Sequence, residues 1–255
     1  MSVPDWLMQF PIAHRGLHDV SLGVIENTIS AAQRAIDHGF AIECDVQSSA
    51  DGIVMVFHDD TLVRLTGISG KVNQLNCAQL ETTELLNSKD TIPTLLAFLE
   101  KVNGRVPIIC EIKSEFDGNL ELAEKTAQAV RNYRGPLAIK SFDPLVVAAI
   151  SKLTPERPRG FIGESTYDDP EWDFLSPSQK KSMACLTHLD QTRPDFLSWY
   201  INDLDQSPPQ LARKSLGLPL MTWTIRTNEN LRMAREYADQ IVFEGFIPES
   251  PHQSE

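Results

Sequence analysis

The chain has 255 residues, 42% hydrophobic and 23% charged, with a formal net charge of −12 at pH 7. That length and composition suit a globular protein with a sizeable core, and no apolar run approaches the roughly 20 residues that cross a bilayer. The strong negative balance argues against a broad nucleic-acid surface, so an anionic ligand requires positive charge gathered at one place.

The N-terminal MSVPDWLMQF has no basic start followed by an apolar core, so no secretory signal is expected. Cys44, Cys77, Cys110 and Cys185 form no C-x-x-C pair and show no zinc-site spacing. They read as reduced thiols, which fits a cytoplasmic protein. From the first apolar run onward, short strand-like segments alternate with helical ones. FPIAHRG (10–16) opens the series, and ENTISAAQRAIDHG follows with Ile29, Ala32 and Ile36 on one stripe and Gly39 as a stop. AIECDVQ (41–47) is the second strand. Asp51-Gly52 then marks a tight turn, so that IVMVFH (53–58) folds back beside it with Val54, Val56 and His58 on one face. A polar stretch at about 59–92 reads as a small insertion over one end of the fold.

Beyond the insertion, strands are expected at VPIICEIKS (106–114), PLAIKSF (136–142), PRGFIGE (158–164), PDFLSWYI (194–201), LPLMTWTI (218–225) and QIVFEGF (240–246). Helical patterns separate most of them, less clearly at about 170–190 and 208–216. The terminal PESPHQSE is polar and expected to fray. Eight strands alternating with helices predict one α/β domain, a (β/α)8 TIM barrel with a small insertion after the second strand. A doubly wound open sheet is disfavoured because no Gly-rich phosphate turn follows the first strand.

In such a barrel the chemistry lies at the C-terminal strand ends. His14 and Arg15 end the first strand. Glu43 and Asp45 lie two apart on the second, hence on one face, and its hairpin adds His58. Glu111 and Lys113 repeat the spacing on the third. Singly, each has an ordinary reading: a structural histidine, a solvated edge, an ion pair. Together they place ionisable groups at one end of three consecutive apolar strands. Two like charges on a buried strand cost several kcal/mol, by a rough estimate, unless a cation lies between them. Three carboxylates with no clustered Cys or His suit Mg²⁺ or Ca²⁺. With one such ion, Arg15 and Lys113 bring the sum to +1, a match for a singly charged phosphodiester that Arg can grip with its planar fork. His14 and His58 then supply a base and an acid.

The ordered set HRG (14–16), ENT (26–28), E-x-D (43–45), HD (58–59), E-I-K (111–113), SF (141–142) and WT (223–224) resembles the glycerophosphodiester phosphodiesterase family over about residues 10–246. The resemblance implies one divalent metal ion held by Glu43, Asp45 and Glu111. It also implies hydrolysis of glycerophosphodiesters to sn-glycerol 3-phosphate and an alcohol, through a cyclic phosphate formed by the glycerol 2-hydroxyl. His14 and His58 match the acid/base pair, Arg15 the phosphate contact, and Lys113 a partner of the phosphate or the metal carboxylates. Trp223 packs against glycerol carbons or belongs to the core, and Phe142 is a further candidate for substrate contact. Glu26 either complements a helix dipole or orients Arg15. Many family members end the last strand with Thr-Asp and a nearby Pro. Here Phe243-Glu244-Gly245 stands there, leaving Glu244 as a candidate rim residue and substrate contact. The alternatives are a lyase that stops at the cyclic phosphate, a lysophospholipid-directed phosphodiesterase, a metal-dependent barrel aldolase or isomerase, and a non-catalytic binder of glycerophosphodiesters.

Overall fold

Strand alternation in the computed structural model, which describes residues 3–248, sorts the chain into a barrel interior and an outer helical shell. The strands are β1 (Ile12–Ala13), β2 (Ala41–Ser48), β3 (Val54–Val56), β4 (Ile108–Ile112), β5 (Leu137–Ser141), β6 (Arg159–Gly163), β7 (Phe196–Tyr200), β8 (Leu220–Ile225) and β9 (Gln240–Phe243). They run in the order β1-β9-β8-β7-β6-β5-β4-β2-β3, and a β1–β2 pairing closes the ring. Every pairing within the ring is parallel; only β3 is antiparallel, lying on the end of β2. This is the (β/α)8 barrel expected from the alternation.

The interior is layered with the period of two that strands impose. At the bottom, Ile12, Ala41, Ile109, Ala138, Phe196, Met221 and Val242 pack as an apolar floor, sealed by Leu7 of the short helix Trp6–Gln9. Two residues further along, the floor gives way to ionisable groups on five of these strands, His14, Glu43, Glu111, Lys140 and Glu244, and to Ser198 and Trp223 on β7 and β8. The opposite faces, Ile42, Cys44 and Val46 among them, pack against the shell. There Thr28 caps the helix Ile29–Asp37, accepting from Ala31 N, and Gly39 follows at φ 71°. Cys44 and Cys110 face each other as register partners, both fully buried and free.

The stretch at about 170–190 lacks a clear helical period because the chain there is broken into pieces, Pro170–Trp172, Pro177–Ala184 and Leu189–Thr192. Ser207–Leu216 is one continuous helix. Between β3 and the helix Leu95–Val102 the chain forms an excursion with the short helices Val63–Thr66 and Cys77–Glu81. It has its own small core of Met55, Phe57, Leu62, Val72, Leu80, Leu85 and Ile92. The PESPHQSE tail lies, beyond its first residue, outside the described residues. Among those residues no helix is long and apolar enough to cross a membrane.

Candidate active site

The HRG and ENT segments form one interlocked turn above β1. Arg15 and Asn27 adopt left-handed backbone, φ 56° and 58°, and Gly16 lies at φ 81°. A Cβ on Gly16 would lie 2.8 Å from the Ala31 Cβ, so the glycine lets the helix Ile29–Asp37 close against the turn. Arg15 N donates to Glu43 Oε2 at 3.0 Å, and Asn27 N donates to the Arg15 carbonyl at 2.8 Å. Asn27 also clamps Asp45: its Nδ2 donates to Oδ2 at 2.8 Å while its Oδ1 accepts from Asp45 N at 3.1 Å. Of the two carboxylates on neighbouring pleats, Glu43 is thus held by a backbone donor and Asp45 by a side-chain amide.

Glu43, Asp45 and Glu111 are all buried, with one ligand oxygen of each lying within 4.8 Å of the others. Lys113 Nζ reaches Glu111 Oε1 at 2.5 Å and Asp45 Oδ1 at 2.8 Å. Lys140 Nζ, 3% exposed, reaches Glu43 Oε1 at 3.1 Å and Glu111 Oε2 at 3.5 Å. Arg15 Nε adds a weaker contact to Asp45 at 3.7 Å. Burial pushes the Asp45 carboxyl up, but the charges of Lys113, His58 and Arg15 outweigh it and hold the group well below the usual carboxylate range. Glu111 is lowered for a like reason: burial and the charge of Asp45 oppose ionisation, while Lys113 and Lys140 favour it. Both lysines are in turn raised, because Asp45, Glu111 and Glu43 overcome their burial.

This donor set fits a hard divalent ion. It is all oxygen and convergent, and Glu43 Oε1 is buried against Lys140 Nζ. Three carboxylates could therefore hold a metal ion. The charge sum differs from that of the sequence reading: Lys140 joins Lys113 and Arg15 to balance the carboxylates, so one divalent ion takes the site to +2 rather than +1.

The two histidines flank this cluster. His58 was expected on one face with Val54 and Val56, but β3 ends at Val56. Gln47 Nε2, on the interior face of β2, then gathers the carbonyls of Phe57, His58 and Asp59 at 3.1, 2.9 and 2.7 Å. That turns the chain across the barrel mouth and brings His58 near enough to Asp45 for its charge to favour the carboxylate. His58 Nδ1 lies 2.8 Å from Asp59 Oδ1, and Arg64 grips Asp59 at 2.5 and 2.8 Å. His14, 8% exposed, places Nδ1 2.6 Å from Glu244 Oε2.

Glu26 does not begin the helix, since Thr28 is the cap. Its Oε1 accepts from Arg15 Nη1 at 2.6 Å and from Arg64 Nη2 at 2.7 Å, and its Oε2 from Arg64 Nη1 at 2.9 Å. Both oxygens are therefore taken by arginines. Phe142 lies above Lys140 on β5, its ring between Trp172 at 5.0 Å and Trp223 at 5.6 Å. Trp223 is half-buried and donates Nε1 to the Ser198 carbonyl at 3.1 Å. A cleft of about 170 Å³ opens beside Lys113, bordered by Gln47, Asp60, Asn73 and Ser114.

Lys140, Asn27, Asp59, Arg64 and Arg226 are absent from the sequence-derived site. Lys140 had a legible signal, a lysine inside an otherwise apolar strand in register with Glu111. Arg64 and Arg226 had none, since an exposed arginine in a loop or short helix is ordinary until its partner is placed beside it.

The glycerophosphoryl diester phosphodiesterase family model matches residues 14–244, from the first histidine to its glutamate partner. A glycerophosphodiester phosphodiesterase of Caldanaerobacter subterraneus subsp. tengcongensis is 28% identical over 91% of this chain and 92% of its own. Glycerophosphodiester phosphodiesterase 1 of Bos taurus is 34% identical over 85% of this chain and 71% of its own. Among solved structures, an Oleispira antarctica phosphodiesterase in complex with the product sn-glycerol-3-phosphate superposes with a TM-score of 0.72. It is 24% identical, over 92% of this chain and 93% of its own. The glycerophosphodiester phosphodiesterase of Thermotoga maritima gives 0.68 at 23% identity, covering 92% and 94%. The barrel, the order of its motifs and these matches over nearly the whole length make this chain a member of the glycerophosphoryl diester phosphodiesterase family.

Proposed function

We propose that this protein hydrolyses small glycerophosphodiesters to sn-glycerol 3-phosphate and an alcohol, with one divalent ion, Mg²⁺ or Ca²⁺, on Glu43, Asp45 and Glu111. The observation that carries this reading is convergence. Two histidines, each with one ring nitrogen on a carboxylate, flank a buried three-carboxylate cluster beside Arg15 and Lys113. When bound, the ion polarises phosphoryl oxygens and offsets the charge that develops on them.

The chain's own residues do the rest. Arg15, fixed by Glu26 and by its backbone bond to Glu43, offers a positioned guanidinium to the phosphodiester anion. Lys113 and Lys140 keep the surrounding potential positive. Phe142 and Trp223 wall off the glycerol carbons, and the cleft beside Lys113 receives the leaving alcohol. One histidine takes the proton of the glycerol 2-hydroxyl as its oxygen bonds to phosphorus. The other gives a proton to the departing alkoxide, and a cyclic phosphate forms. Water then opens the ring with the proton transfers reversed, yielding glycerol 3-phosphate.

Acid and base each supply about 10²–10⁴-fold, roughly 5–11 kcal/mol together. Phosphate-ester hydrolysis can demand on the order of 20 kcal/mol, so charge stabilisation and the internal nucleophile must contribute the remainder. The test is release of glycerol 3-phosphate from a panel of glycerophosphodiesters with Mg²⁺, with Ca²⁺ and with chelator. His14→Ala and His58→Ala should each lower kcat by about 10²–10⁴-fold with the fold intact. Near-normal turnover in either variant removes that histidine from the mechanism, and a cyclic product that accumulates identifies a lyase instead.

A further inference from the structure

Glu244 directly follows β9, the strand that closes the ring onto β1, and its surroundings give it a definite task. Its backbone N donates to the Ile225 carbonyl at 3.0 Å, and His14 N donates to the neighbouring Phe243 carbonyl at 2.9 Å. These bonds fix β1, β9 and the end of β8 side by side, so the side chains of His14, Glu244 and Arg226 meet. His14 Nδ1 lies 2.6 Å from Glu244 Oε2, and Arg226 Nη2 donates to that same oxygen at 2.8 Å. His18 Nε2, buried and without a hydrogen bond, lies 4.0 Å from the other oxygen.

We propose that Glu244, braced by Arg226, is the positioning residue of His14: it holds the ring proton on Nδ1 and leaves Nε2 as the nitrogen that exchanges a proton with substrate. The proposal rests on the reading of His14 as an acid/base group. Its physical basis is the two-nitrogen character of imidazole: the hydrogen bond made at one nitrogen decides which is protonated. In water the neutral ring favours the Nε2–H form, which has no lone pair on the substrate side. A carboxylate at Nδ1 reverses that preference and fixes the plane of the ring. Burial pushes the Glu244 carboxyl up, but His14, Arg226 and His18 hold it down at about 2, so the acceptor is ionised at neutral pH.

The other histidine is served by a parallel device, His58 Nδ1 on Asp59 with Arg64 behind it. There the carboxylate is the next residue in the chain. Glu244 is 230 residues away from His14 and reaches it only because the barrel closes.

The first test is ¹⁵N NMR of histidine-labelled parent protein at a pH where the rings are neutral, with His14→Asn identifying the His14 signals. The expected result is His14 protonated at Nδ1; protonation at Nε2 overturns the proposal. The second test is steady-state release of glycerol 3-phosphate by two variants. Glu244→Met removes the acceptor and should lower kcat about 100-fold with KM within about threefold. Glu244→Gln keeps an acceptor oxygen without the charge and should recover about tenfold of that loss. In a His14→Asn background, Glu244→Met should cost nothing further, because both act through one group. An unchanged kcat in Glu244→Met beside an inactive His14→Asn overturns the role of Glu244 alone. Full turnover in His14→Asn removes the His14 reading and this proposal with it. Circular dichroism and thermal unfolding check that each variant folds. If Glu244→Met does not, the NMR measurement on the parent protein decides.

Discussion

Glu43, Asp45 and Glu111 on β2 and β4, and Glu164 at the end of β6, are all buried carboxylates at one barrel mouth, yet their surroundings differ in sign. The first three touch Lys113, Lys140 and Arg15, and both Asp45 and Glu111 are held below the usual range by those cations. No ion pair among the described residues includes Glu164. Burial pushes it up to about 7, helped by Glu171, Asp169 and Asp203; the Trp172 indole N–H, which makes no hydrogen bond of normal geometry, opposes this weakly. A buried negative charge is tolerated where cations are built beside it, and elsewhere the carboxyl takes a proton. The compensated side is thus preorganised to hold charge before any metal ion or substrate arrives.

Divalent-ion removal is the strongest way to probe the compensated side. Chelation should abolish turnover and leave the fold, because the lysines and Arg15 already balance the carboxylates; assay and thermal unfolding with and without chelator read both. A collapse of the fold on chelation would show that the cations do not carry that balance. Next in size is Lys140→Met. It strands Glu43 and part of Glu111 in the interior and should destabilise the chelated protein by about 3–5 kcal/mol in urea unfolding. Added Mg²⁺ or Ca²⁺ should recover part of the loss.

Glu164 tests the other side. Its folded-state pKa is raised, so the folded chain holds a proton that the unfolded chain releases between about 4.5 and 7. Stability from this group is complete below that window and falls as pH rises through it, by about 3 kcal/mol at most. Glu164→Gln should flatten that part of the stability profile and raise stability at pH 8; an unchanged slope would mean that Glu164 ionises normally. The smallest stability effect is expected at Arg64, 47% exposed in its side chain, which bridges Asp59 and Glu26 at the rim. Arg64→Gln should cost under about 1 kcal/mol of stability. Its kcat should fall several-fold, as His58 loses the brace behind its carboxylate.

Much of this architecture could be read from local pattern alone. Apolar runs, Asp51-Gly52 and the spacing of Glu43, Asp45 and Glu111 report on backbone period and turn chemistry, which act within a few residues. The same period places the metal-competent carboxylates on one interior face. Three features of the site have causes that are not local. His58 left the face of Val54 and Val56 because Gln47 captures three successive carbonyls beyond the strand. Of the two alternatives open for Glu26, the contact with Arg15 is the one formed, and Arg64 joins it on the same carboxylate. Lys140 reaches Glu43 across the intervening strand β4 and so changes the charge of the site.

From its own order of residues, the protein determined the number and direction of its strands, the apolar floor of the barrel and the ionisable layer two residues above it. Those features follow from alternation and turn geometry within each segment. The tertiary fold decided which side chains meet: Lys140 with Glu43 and Glu244 with His14 inside that layer, and Arg64 with Glu26 at the rim. Such pairs join residues far apart in the chain. No periodicity encodes them, because their distances depend on how many strands close the barrel and in which register.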